Sequence, residues 1–214
     1  MGDFILDGFD YKSYVELNIS GTTGTPKIVR IEKQAMVNSA IATGNFFDLQ
    51  PENKVLHCLP CKYIAGKMMF VRGLILGLDM DLVEPSSNPV VKSDVKYDFV
   101  AMLPMQVQNS IGKLKNVKKL IIGGSKINNE LVKELSTLKT QVFETYGMTE
   151  TLTHIAAKNI KEEVFSLLPN INIAQDERNC LVIDAPGIAA ESVVTNDLIK
   201  LVGDRQFVLM GRID

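Results

Sequence analysis

The sequence predicts an α/β protein: a mainly parallel sheet covered by helices, followed by a small antiparallel β subdomain. Three observations predict it. As far as about Val164, short apolar strands alternate with longer helical patterns, the rhythm of parallel strands joined by crossover helices. Beyond it come short apolar pieces separated by turn-like clusters such as Gln175-Asp176-Glu177-Arg178-Asn179, which read as antiparallel strands. With 214 residues, 46% hydrophobic and 22% charged, the chain can bury a substantial core and lacks the signature of disorder.

In order, the expected strands are Val15–Ile19, Val55–Leu59, Phe99–Leu103, Leu120–Ile122 and Gln141–Thr145. The expected helices are Lys33–Phe47, Gly66–Leu78, Met105–Leu114 and Asn128–Leu138. The later pieces are Ile171–Ala174, Cys180–Ile183, Val193–Val194, Leu198–Val202 and Gln206–Leu209. No internal repeat is present.

Composition excludes several function classes. A net charge of -2 gives no general pull toward nucleic acid or anionic membranes, so an anionic ligand needs a few placed groups. Met1–Lys12 lacks the pattern of a secretory signal. The longest apolar stretch, Met68 to Leu82, is interrupted by Arg72, Asp79 and Asp81, so no membrane span is expected. Three cysteines form no disulfide framework, and a reducing, cytoplasmic location is the default expectation. His57, Cys58 and Cys61 have zinc-ligand spacing, but a structural site needs four ligands and no second paired motif follows. A buried thiol on a strand ahead of a Pro60 loop is the simpler expectation.

In open α/β sheets ligands bind beyond the carboxyl ends of strands, so the segments there carry the functional reading. Ser20-Gly21-Thr22-Thr23-Gly24-Thr25-Pro26-Lys27 combines glycine backbone, four hydroxyls and a cation. That suits a polyphosphate, although it is not a Walker A loop; the alternative is a flexible turn between a strand and a helix. Thr145-Tyr146-Gly147-Met148-Thr149-Glu150 offers an aromatic face and a carboxylate of the kind Mg²⁺ accepts beside phosphate. Gly123-Gly124-Ser125 permits close approach of a flat ligand, or is a plain turn. Thr195-Asn196-Asp197 and Gly211-Arg212-Ile213-Asp214 complete the set. A carboxylate such as Asp197 can accept two hydroxyl hydrogen bonds.

These motifs, in this order, resemble those of the adenylate-forming superfamily of acyl-CoA synthetases, luciferases and peptide-synthetase adenylation domains. The departures are Ile19 before the loop, Ile28 after Lys27, and Asn196 where glycine is usual. By that resemblance the cofactors are ATP, Mg²⁺ and, as co-substrate, coenzyme A. Ser20 to Gly24, Lys27 and Thr149 would meet phosphate, and Glu150 would hold magnesium. Tyr146 would stack on adenine, with Gly123, Gly124, Ser125, Thr145 and Gly147 around the nucleotide. Asp197 would grip the ribose, Arg212 would contact ribose or phosphate, and Asp214 would be a hinge. The organisation implied is an α/β nucleotide- and acyl-binding unit over 1–164, a small β unit over 165–210, and the start of a hinge at 211–214. The chain is thus expected to be a fragment of a large N-terminal domain, weakly active or inactive without the small domain that the resemblance places after the hinge.

A single arginine, Arg72, sits in the otherwise apolar stretch Met68–Leu76, which is expected to be buried helix. A buried guanidinium needs a carboxylate or several acceptors, so Arg72 either pairs inside the protein, reaches water, or meets a substrate. Leu59-Pro60-Cys61-Lys62-Tyr63-Ile64-Ala65-Gly66 followed by Arg72, and Gly147–Thr151, look like o-succinylbenzoate–CoA ligases of menaquinone biosynthesis. That likeness implies a small aryl acid as partner, with Tyr63, Gly66, Arg72 and His154 near the acyl group. His154 is read a helical turn beyond Glu150, lining the pocket or satisfied in the core. The alternatives are a ligase for another aryl or fatty acid, and a non-catalytic module that senses ATP or AMP.

Overall fold

The computed structural model describes residues 10–19 and 27–213, with 17–19, 27 and 28 as backbone only. Strands β1 (Tyr14–Ile19) and β2 (Lys27–Glu32) form an antiparallel ribbon, Tyr14 opposite Glu32 and Ile19 opposite Lys27. The segment between the glycine- and threonine-rich loop and the expected helix is therefore a strand, one the sequence reading left unassigned. Helix α1 follows at Lys33–Phe47, where the sequence placed it. It buries Ala35, Met36, Ser39, Ala40, Thr43 and Phe47 at helical spacing, and Asp48 closes it in the left-handed region with φ 49°.

The other strands form one eleven-stranded sheet. Its parallel part consists of β3 (Lys54–His57), β4 (Asp79–Leu82), β5 (Tyr97–Met102), β6 (Val117–Ile122) and β7 (Gln141–Gly147), in the order β4-β3-β5-β6-β7. The antiparallel part adds β8 (His154–Asn159), β9 (Val164–Leu167), β10 (Asn172–Gln175), β11 (Cys180–Asp184), β12 (Val193–Leu201) and β13 (Gln206–Arg212). These continue the sheet as β8-β9-β13-β12-β11-β10. The change from parallel to antiparallel thus falls at β8, ahead of the 164/165 division read from the sequence.

Period-two alternation splits the core of the parallel part between two faces. Leu56, Val100, Leu120 and Ile122 pack under helices α3 (Pro104–Ser110) and α4 (Asn129–Leu135), through Val107, Leu131 and Leu135. Val55, Phe99, Ala101 and Ile121 face the other way, onto Phe47 of α1 and Met69 of α2 (Ile64–Ile75). Pro104 opens α3 at a position where its missing N–H costs nothing, and Asn128 caps α4 by accepting from Leu131 N–H at 2.8 Å.

Helix α2 ends three residues before the expected Leu78. Gly77 takes φ 65°, and Leu78 N–H returns to Gly73 O at 2.9 Å, which is a Schellman closure. The chain can then enter β4 at the sheet edge, a strand the sequence reading missed. There Lys54 Nζ bridges Asp79 at 3.0 Å and Asp81 at 2.9 Å, and Lys92 reaches Asp81 at 3.0 Å. Lys54, then Lys92 and the Tyr97 hydroxyl, hold the Asp81 carboxyl down to about 2.

His154 is not on a helical turn. A single 3-10 turn, Thr149–Thr151, is closed by Thr151 Oγ1, which lies 3.2 Å from Met148 N and 3.1 Å from Met148 O. Leu152 then takes φ 65° and reverses the chain into β8. Gly66 of α2 approaches Pro60 so closely that an added Cβ would lie 2.3 Å from Pro60 O. Gly66→Ala must push the Pro60 loop outward, and we expect a loss of about 1–3 kcal/mol in urea unfolding. An unchanged midpoint would show that the loop yields freely.

Candidate active site at the strand ends

The four loops that leave β3, β5, β6 and β7 meet in one cavity of about 250 Å³. Leu59, Leu103, Gly123 with Gly124, and Gly147 with Met148 supply its walls in that order, as the strand-end rule requires. Ile64 and Ala65 of α2 close one side, and most of the lining is apolar. Arg72, Thr145, Thr149, Thr153 and His154 provide the polar side chains among the described residues.

Arg72 is 2% exposed, and among the described residues no carboxylate lies within ion-pair distance of it. Its partners are neutral hydroxyls: Nε donates to Thr43 Oγ1 at 3.2 Å and Nη2 to Thr153 Oγ1 at 3.3 Å. Burial lowers its pKa to about 10, which still leaves a cation at neutral pH. Among the described residues Arg72 thus has no ion-pair partner, and its buried side chain lines the cavity. His154, 8% exposed, stands beside it, with Nε2 3.4 Å from Thr43 Oγ1 and Nδ1 3.3 Å from Thr153 Oγ1. Burial, and secondarily the Arg72 charge, push His154 well below the ordinary histidine range, so it is neutral.

A second cluster lies on the neighbouring antiparallel strands. The Tyr146 hydroxyl donates to Asp197 Oδ2 at 2.5 Å, while its ring packs edge-on against Phe165 and Phe207 at 6.0 and 5.4 Å between centroids. Burial first, and then the hydrogen bond to Asp197, push the Tyr146 hydroxyl well above the ordinary phenol range. Asp197 is 8% exposed, and Arg212, opposite it in register, comes within 3.6 Å of Oδ1 from a largely exposed position. Asn196 is accounted for: its Oδ1 accepts from Arg178 Nη1 at 3.0 Å, and its backbone O accepts from Ile213 N–H at 2.8 Å. That side chain ties the turn before β11 to the strand carrying Asp197.

Of the expected site residues, Arg72, Gly123, Gly124, Thr145, Gly147, Thr149 and His154 gather in the cavity. Tyr146, Asp197 and Arg212 form the second cluster. Glu150 is exposed beside Thr149. Ser125 and Tyr63 are exposed and outside the cavity lining, and Gly66 is buried behind the wall. Residues 20–26 and Asp214 lie outside the described residues, and Lys27 is described as backbone only. Cys58 does not join His57 and Cys61: its thiol donates to Ala101 O at 3.6 Å, while Cys61 Sγ lies 3.2 Å from His57 Nε2. Among the described residues no group of three or more His, Cys, Asp or Glu could hold a metal ion, and no helix is long and apolar enough to cross a membrane. Thr43 and Thr153 were not foreseen. The available signal was the pair Ser39 and Thr43, two hydroxyl residues four apart on the buried face of α1.

Residues 20–187 match the family of AMP-binding enzymes. The chain belongs to that family. A solved acyl-CoA synthetase (AMP-forming)/AMP-acid ligase II-like protein from Dyadobacter fermentans is 36% identical and superposes with a TM-score of 0.90, over 99% of this chain and 63% of that one. The 2-succinylbenzoate–CoA ligase of Oceanobacillus iheyensis is 28% identical over 180 residues, covering 75% of this chain and 37% of the ligase. The o-succinylbenzoate coenzyme A synthetase of Bacillus subtilis, solved with ATP and magnesium ion, shares the fold at a TM-score of 0.76 and 18% identity, over 92% of this chain and 49% of that one. The chain thus spans about a third of the length of the curated ligases it matches. Asp197 and Arg212 fall beyond the matched 20–187 segment, within the Dyadobacter superposition.

The depressed histidine gives a pH signature. Unfolded, His154 takes up a proton near 6.5; folded, it does so only well below that. Stability is therefore undiminished above about pH 7 and falls as pH drops below about 6.5, by up to ~1.4 kcal/mol per pH unit for this group. Thermal unfolding of His154→Gln at pH 7.5 and 5.5 should show a smaller acid loss than the parent. Equal losses would mean that His154 is protonated in the folded protein.

Proposed function

We propose that this chain carries the nucleotide- and acid-binding part of a cytoplasmic ATP-dependent acid–CoA ligase acting in menaquinone biosynthesis, and that its acid is o-succinylbenzoate. The acid's carboxylate oxygen attacks the α-phosphorus of ATP and pyrophosphate leaves. The CoA sulfur, giving up its proton, then displaces AMP from the acyl carbon. One observation carries the choice of acid: a buried arginine, held by two neutral hydroxyls and lacking a carboxylate partner among the described residues, faces an apolar cavity. Such a charge calls for an anion, and guanidinium binds carboxylate with two parallel hydrogen bonds that lysine cannot reproduce. An acid with an apolar body and a second carboxylate fits both demands; a simple fatty acid leaves the charge unmatched.

The nucleotide is assigned to the strand ends and the second cluster. The carboxylate of Asp197 suits a ribose diol, the Tyr146 ring a base, and Lys27 with Thr149 the phosphates. Magnesium commonly binds through one or two carboxylates together with substrate phosphates, so exposed Glu150 beside Thr149 suits it. Its chemistry would be to neutralise phosphate charge as pyrophosphate departs.

Two measurements on the full-length protein test this. Asp197→Ala and Thr149→Ala should each weaken binding of ATP with magnesium by roughly tenfold or more; parental affinity in both would end the nucleotide assignment. Arg72→Ala should lower kcat/KM for o-succinylbenzoate, followed by pyrophosphate release, by about a hundred- to a thousandfold. A benzoate analogue without the succinyl carboxylate should be far less affected. Equal losses would make Arg72 structural, and absent pyrophosphate release with any acid would favour a nucleotide sensor.

A further inference from the structure

We infer that Thr43, Thr153 and a neutral His154 are positioning residues that lock the Arg72 guanidinium in one orientation, and that this ring sets the preference for acids with a second carboxylate. The inference rests on the reading of Arg72 just given. Three separate elements supply the ring: the middle of α1, the last turn of α2, and the turn entering β8.

The hydrogens in the ring have one consistent arrangement. Thr43 Oγ1 donates its proton to Ser39 O at 2.9 Å, so the same oxygen can only accept from its other neighbours. Arg72 Nε–H is one of them. The imidazole is the other, so His154 carries its proton on Nε2. Nδ1 must then accept, and the Thr153 hydroxyl is the proton it faces. Thr153 Oγ1 in turn accepts from Arg72 Nη2. A second proton on His154 would turn Nδ1 into a donor facing Thr153 and place a second cation beside Arg72, which burial and that cation both oppose.

This arrangement uses Nε–H and one Nη2 proton. Among the described residues both Nη1 protons and the second Nη2 proton have no acceptor, and one proton from each of Nη1 and Nη2 can lie parallel on the terminal edge of the guanidinium, the pair of donors that suits one carboxylate. The threonines thus do more than satisfy a buried charge. They fix which edge of it is offered, from groups that bring no negative charge of their own to compete with the substrate.

The test uses the full-length protein, with Thr43→Val and Thr153→Val to remove the hydroxyls at nearly constant shape and Thr43→Ser and Thr153→Ser to restore them. Each valine variant should raise KM for the two-carboxylate acid by roughly tenfold, with kcat and the one-carboxylate analogue near parental values. The serine variants should recover most of the loss, and neither valine change should add to Arg72→Ala. Imidazole ¹⁵N NMR at pH 6 should show His154 neutral and protonated on Nε2. Parental KM in both valine variants, while Arg72→Ala still separates the two acids, would overturn this inference and leave the substrate reading standing. Equal loss for both acids in the valine variants, or a protonated His154, would also overturn it. Failure of Arg72→Ala to separate the acids would overturn the substrate reading and this inference together.

Discussion

The backbone ladder that joins β3, β5, β6 and β7 in parallel is the constraint on which the site depends. Parallel strands all end on the same side, so each must be followed by a loop at that side before a helix carries the chain back. The loops after β3, β5 and β6 lead into helices and the one after β7 turns back into β8; crowded along one edge, the four leave a hollow that the helices do not fill. The antiparallel strands from β8 onward extend the same surface. The second cluster, with Asp197 and Arg212, is therefore hydrogen-bonded into one sheet with the cavity rather than held on a separate lobe.

Two buried ionic groups are handled in opposite ways on that sheet. Asp197 is matched from inside, by the hydroxyl of Tyr146 and more loosely by Arg212. Among the described residues, Arg72 is met by hydroxyl dipoles and no carboxylate. Asp197 thus meets an opposite charge, that of a largely exposed Arg212, whereas a charge given only hydroxyls is lowered in energy without being neutralised. The Arg72 charge lies in a cavity whose remaining walls are largely apolar.

Much of this was legible beforehand. Helix α1 reads cleanly because its small and apolar residues recur at helical spacing. The loop positions followed from the strands, since the apolar runs ending at Leu59, Leu103 and Ile122 are each followed at once by proline or glycine. What escaped notice had physical reasons. Strand β4 carries Asp79 and Asp81, which look like a break in an apolar stretch until the edge position and Lys54 are known. Strand β8 opens with four buried residues, so alternation is absent and Thr-His-Ile-Ala-Ala-Lys passes for helix. Thr43 was unreadable as a site residue because its role depends on a helix crossing that brings Arg72, 29 positions away, to its hydroxyl. Asn196 looked like a mild departure from a glycine, and only the fold shows Arg178 against it.

The ends of the sheet have a consequence for how copies of the protein behave toward one another. Among the described residues the sheet of eleven strands ends in two edge strands, and a sheet edge left unpaired is a template for a strand from another molecule. Both edge strands here, β4 and β10, are only four residues long. On β4 the alternating Asp79 and Asp81, clamped by Lys54, put charge on the rim where an incoming strand would lie. Because Lys54, Lys92 and Tyr97 keep Asp81 ionised down to about pH 2, that rim stays charged under acid conditions that would neutralise an ordinary carboxylate. The sheet that carries both side-chain clusters is in this way guarded against growth by stacking edge to edge.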